Sequence, residues 1–107
     1  VEIDAGQALD RLILKSIARR VRFLEQASRA GCASADILLG RMYLDGLGVR
    51  TAFRKARVYF VRAARRGNRL GYWNLAIIYQ TGYGVRRSPA KADRWMAAYC
   101  RHNGAAK

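Results

Sequence analysis

Displaced by 36 positions, the sequence falls on itself. Leu39 meets Leu75, Tyr43 meets Tyr79, and Gly46, Gly48, Val49 and Arg50 meet Gly82, Gly84, Val85 and Arg86. Lys55 and Ala56 meet Lys91 and Ala92, and Tyr59 meets Trp95. Moving the other way, Phe23, Ala27 and Gly31 meet Tyr59, Ala63 and Gly67, so half of an earlier unit lies in residues 16–31. A period of this length is the mark of a stack of small units, each unable to bury its apolar face alone.

Within a unit the apolar spacing is helical. Leu38, Leu39, Met42 and Tyr43 share one side of a first helix, and Ala56, Tyr59, Phe60, Ala63 and Ala64 share one side of a second, from Phe53 to about Arg66. Gly46 stands where a helix end needs a left-handed residue. Ser88 before Pro89 is a strong helix start, whereas Ala52 offers no side-chain cap and leaves Thr51 as the nearest substitute. No run alternates with period two, so strands are poorly supported. The small residues Gly40, Ala56, Ala63 and Ala92 permit close helix approach, and Tyr43, Tyr59, Tyr79 and Trp95 read as core fillers between layers. Residues 1–15 do not repeat well. One long helix over about residues 5–30, with a stripe of Leu9, Leu12, Ile13, Ile17, Val21, Leu24 and Ala27, would cap the stack. Units at 34–67 and 70–104 complete the expected organisation of residues 1–107 as one domain.

The 21 Lys and Arg against seven acidic residues give a formal net charge of +14, which draws polyanions or acidic proteins. Apolar runs fall far short of the roughly 18 residues a membrane span needs. No signal-peptide pattern opens the chain, which starts at Val1 and so reads as a mature or trimmed product. Two cysteines, Cys32 and Cys100, and one histidine, His102, are too few for a disulfide scaffold or a zinc site. Both cysteines are expected reduced or buried. No nucleophile–base constellation is visible, and His102 reads as a cation near a helix end.

The run Leu39-Gly40, Tyr43, Gly46, Gly48, Val49, Lys55-Ala56, Tyr59, Ala63-Ala64, Gly67 resembles the Sel-one-like repeat, an α/α relative of the tetratricopeptide repeat. The resemblance covers roughly residues 16–104. It implies an all-α fold: a short right-handed α/α solenoid of helix-turn-helix repeats behind a long N-terminal helix. It also implies a bacterial or eukaryotic adaptor that binds proteins, with no catalytic repeat position and no cofactor. Settings such as toxin neutralisation, regulation or envelope adaptors stay open, as do bacterial cytoplasm and periplasm. Tyr99 replaces the usual alanine of the last unit, which suits a terminal repeat.

A concave face lined by the first helices makes Asp36, Arg41 and Leu44, then Tyr72, Trp73, Ile77 and Gln80, candidates for partner contact. Trp73 also fits a core position. The basic residues follow the repeat: Arg29, Arg65 and Arg101 form one column, Arg19, Lys55 and Lys91 another, and Arg50 and Arg86 follow the glycine loops. Tyr83 beside Arg86 and Arg87 is the one cluster suited to a nucleobase. The expected role is a non-enzymatic module binding an acidic protein partner through these basic and aromatic residues. Non-specific binding of nucleic acid or anionic membrane headgroups is the alternative, and pairing of apolar stack ends into a homodimer is a third.

Overall fold

The computed structural model describes residues 4–105, so Val1 lies outside the described residues. Five helices follow one another: α1 (Ala5–Arg29), α2 (Ala33–Asp45), α3 (Phe53–Arg65), α4 (Leu70–Thr81) and α5 (Pro89–Ala105). No strand occurs among the described residues. Each helix packs on its neighbours in sequence, and the stack measures 57 × 30 × 19 Å. The molecule is an all-α solenoid of helical repeats.

The repeat is visible bond by bond. Gly46 ends α2 at φ 71° and Gly82 ends α4 at φ 82°, where a side chain would be strained. The Ala52 amide donates to the Tyr43 carbonyl at 2.9 Å, and the Ser88 amide donates to the Tyr79 carbonyl at 2.9 Å, so both loops close on the same atom of the preceding helix. Ser88 caps α5 as expected, its Oγ accepting from the Lys91 amide at 3.2 Å. α3 begins at Phe53 with no side-chain cap, so Thr51 does not supply the cap that Ala52 lacks. α1 carries a capping box that the repeat did not signal: Asp4 accepts from the Gln7 amide at 2.7 Å, and Gln7 accepts from the Asp4 amide.

The core runs along the stack through Val21, Leu24, Ile37, Leu39, Met42, Tyr43, Phe60, Leu75 and Ile78. Close approach depends on missing side chains. A Cβ on Gly40 would meet the Phe60 ring at 2.6 Å, and one on Gly71 would meet the Phe60 carbonyl oxygen at 2.5 Å and the Ala64 nitrogen at 2.6 Å. The α1 stripe is only partly used. Val21 and Leu24 are buried and Ile17 packs on the core, but Leu9, Leu12 and Ile13 are exposed, because nothing among the described residues stacks on that end.

A polar node locks α1, α2 and α3. Asp36 is fully buried and accepts from Ser28 Oγ at 2.5 Å and from Arg66 Nη1 at 2.7 Å. Arg66 Nη1 also donates to the Ser28 carbonyl at 2.8 Å, and Arg62 Nη1 donates to Ser28 Oγ at 3.2 Å. Asp36 is therefore a core residue and not a surface contact, which corrects the expectation for it. Leu44 likewise packs against the core.

Candidate functional site

Two cavities lie along the second helices of the units and share Tyr79 and Trp95 as a common floor. The larger, about 510 Å³, is walled by Tyr72 and rimmed by Lys91, Arg94 and Arg101, with Ala98 and His102 completing it. The second, about 390 Å³, is bounded by Arg57, Arg62 and Arg65 and by the apolar Val58, Val61 and Leu75. Together they form a groove between α3 and α5, with α4 beneath. Six Lys and Arg side chains line it, and among the described residues no carboxylate does.

The local sequence explains this placement. On a helix, residues three apart are neighbours, so Arg62 sits beside Tyr59 and Ala98 beside Trp95. The Arg62 guanidinium carbon lies 5.2 Å from the Tyr59 ring centre. Lys55 Nζ lies 5.2 Å from the Tyr43 ring centre, and Lys91 Nζ lies 5.4 Å from that of Tyr79, the same contact one repeat later. Tyr43 and Tyr59 stack at 5.8 Å in the first unit. Burial pushes the Tyr43 hydroxyl above its ordinary value, and Glu25 adds to this. Burial is also the main reason that Tyr59 is raised, with Tyr43 and Glu25 contributing and Arg62 opposing.

The predicted contact residues are not brought together as one surface. Tyr72 is half-buried in the larger cavity, its ring 5.9 Å from Trp95 and 4.5 Å from His102, with its hydroxyl 3.2 Å from His102 Nε2. Trp73 and Ile77 are exposed, and they line a separate cavity of about 250 Å³ with Ala92, Asp93 and Met96. Trp73 is thus not a core residue. It leans on Tyr99 at 5.2 Å, and Tyr99 also lies under Arg69. Successive helix positions point about 100° apart, so Tyr72 and Trp73 cannot share one patch. Arg65 and Arg101 line the groove. Their counterpart Arg29 is exposed on α1 and lines neither cavity. Arg41 lines a small cavity elsewhere with Leu38 and Asp45. Arg86 is exposed, and Arg87 Nε donates to the Gln80 carbonyl at 2.9 Å. Tyr83 is spent on Phe53, with which it stacks at 5.6 Å.

Sequence reasoning missed Arg57, Arg62, Arg94 and Ala98 as groove residues and treated Tyr79 and Trp95 purely as core. Both aromatics are half-buried and face the groove. The register held a usable signal: cations recur on second helices within a turn of the aromatic position. Cys32 and Cys100 are free and both exposed. Among the described residues no group of His, Cys, Asp and Glu is placed to hold a metal ion, and no helix is long and apolar enough to cross a membrane.

The stack is similar to the crystal structure of a Sel1 repeat protein from Oxalobacter formigenes, with a TM-score of 0.77 and 20% sequence identity over 79% of this chain and 35% of that one. It is also similar to c5321, a protective antigen present in uropathogenic Escherichia coli strains and displaying an SLR fold. That likeness has a TM-score of 0.72 and 25% identity over 78% of this chain and 18% of that one. The chain therefore spans well under half of either neighbour's length. No curated protein matches the sequence. The Sel1 repeat family model matches residues 33–68 and 69–98, and the two matched units coincide with the α2–α3 and α4–α5 pairs. With more than half of its length so matched, the chain belongs to the Sel1 repeat family.

Proposed function

We infer that this chain is a non-enzymatic protein-interaction module that takes an acidic partner along the groove between α3 and α5. Sel1 repeat proteins are generally protein-interaction modules, typically non-catalytic. The observation that carries the finer reading is the lining of the groove: six cations over an aromatic floor with no carboxylate among the described lining residues. Like charges held side by side repel one another, and an anionic partner relieves that repulsion. The acidic complement is thin, seven residues against 21 Lys and Arg, and Asp36 among them is already paired with Arg66. Aromatic and Arg side chains are also the residue types enriched at protein interfaces.

The test uses a dye-labelled glutamate-rich peptide and fluorescence anisotropy. Arg65→Glu with Arg101→Glu should weaken binding roughly tenfold or more, about 1.4 kcal/mol. Arg41→Glu with Arg86→Glu changes the net charge equally but lies outside the groove, and should leave affinity nearly unchanged. Equal losses in both pairs would show that net charge alone attracts the peptide. A steep salt dependence shared by peptides and nucleic acid would favour the polyanion alternative.

A further inference from the structure

We propose that the space over Trp95 is a seat for an uncharged aromatic side chain carried by an acidic segment of the protein partner. This rests on the groove being the acidic-partner surface, and it adds what selects one acidic segment over another.

The two units carry the same seat in different states. In the first, the Arg62 guanidinium covers the Tyr59 ring at 5.2 Å and is held there by Ser28 Oγ at 3.2 Å. One repeat later the aromatic remains as Trp95, but Ala98 replaces Arg62 and Ala64 replaces Ser28. The planar occupant and its anchor are both lost, and the cavity of about 510 Å³ opens beside Trp95 and Ala98. The node itself changes too. Asp36 and Arg66 correspond to Tyr72 and His102, so a part-buried ion pair of 2.7 Å becomes a hydroxyl–imidazole contact of 3.2 Å.

These exchanges settle what the seat accepts. A carboxylate that could hold a cation is gone, and a second aromatic wall stands in its place with its ring 5.9 Å from Trp95. Arg94 is added where the first unit has Val58, joining Lys91 and Arg101 on the rim. A cationic side chain is repelled by that rim. A bare carboxylate satisfies the rim but leaves the aromatic walls facing water. A flat neutral ring takes over Trp95 the place that the Arg62 guanidinium holds over Tyr59, and acidic residues flanking it in the partner reach the rim cations.

The experiment measures two dye-labelled peptides of equal charge on the full chain: a glutamate-rich sequence with a central phenylalanine, and the same sequence with glycine at the centre. The unaltered chain should bind the phenylalanine peptide roughly tenfold tighter or more. Ala98→Arg restores the guanidinium that the first unit carries. It should bring that ratio close to one while leaving glycine-peptide affinity unchanged or increased, because a cation has been added. Ala98→Met should lower the ratio without adding charge, and circular dichroism checks that each variant is folded. A ratio near one on the unaltered chain overturns the proposal with no variant required, as does a ratio that survives both folded variants. An oligothymidine of matched charge that shows the same dependence on residue 98 would assign the seat to a nucleobase and overturn it as well. If the ratio is near one but Arg65→Glu with Arg101→Glu still weakens both peptides, the seat fails and the groove stands. If neither the ratio nor charge reversal has an effect, both fall.

Discussion

Asp36→Ala should be the most damaging single change away from the apolar core. The carboxylate is fully buried and takes hydrogen bonds from α1 through Ser28 and from the end of α3 through Arg66. Its removal leaves the Ser28 hydroxyl, on a residue only 2% exposed, without its main acceptor. A buried hydroxyl stripped of its partner costs about 1–3 kcal/mol. Breaking a fully buried ion pair costs about 3–5 kcal/mol, but the Arg66 side chain is 29% exposed and turns partly to water, so the lower end applies. Both costs come from losing the same carboxylate and overlap, so they are not added; a loss of about 3 kcal/mol follows, and at 4–8 °C per kcal/mol for a domain of this size the melting temperature should fall by roughly 12–24 °C. Asp36→Asn keeps an acceptor for Ser28 and should cost about half as much. Thermal and urea unfolding followed by circular dichroism give both values. An Asp36→Ala loss below about 1 kcal/mol would refute the assignment of the node as the lock between α1, α2 and α3.

Gly71→Ala should cost about 1–3 kcal/mol by the same unfolding assays, because the new methyl would press on the α3 backbone and α4 must retreat; an unchanged melting temperature would show that the helices do not approach so closely. Alkaline pH should destabilise the stack through Tyr43 and Tyr59. Their folded values are raised above the ordinary 10, so the unfolded chain loses these protons first. Stability from these groups is complete below about pH 10 and is lost as pH climbs through the folded values. Tyr43→Phe with Tyr59→Phe should flatten the alkaline limb of a stability–pH profile relative to the unaltered chain, and identical limbs would contradict the assignment.

The repeat made the architecture legible, since glycine, small and aromatic positions recurring at one interval fix where helices end and where they touch. Helix α1 could be read from its stripe because Val21 and Leu24 follow a helical period. The site was harder. Asp36 and Tyr72 occupy equivalent positions, and nothing local distinguishes a buried acid paired with Ser28 and Arg66 from a surface acid, because the partners come from two other helices. Trp73 read equally well as core until the packing of α4 against α5 placed it outside. Arg65 and Arg101, expected as a basic column, line the groove. Arg57, Arg62 and Arg94 were not expected there, because they reach the groove only once α3 and α5 lie side by side. Ala98 carried its meaning only by contrast with Arg62, a comparison between units and not within one.

The most direct test of the central claim is the two-dimensional NMR spectrum of the chain titrated with the acidic phenylalanine peptide. The groove account expects the Trp95 indole N–H to shift strongly together with the amides near Arg65, Ala98 and Arg101, while the Trp73 indole and the amides near Arg41 and Arg86 stay in place. Shifts spread evenly over all the cationic faces, or confined to Trp73 and Ile77, would contradict it.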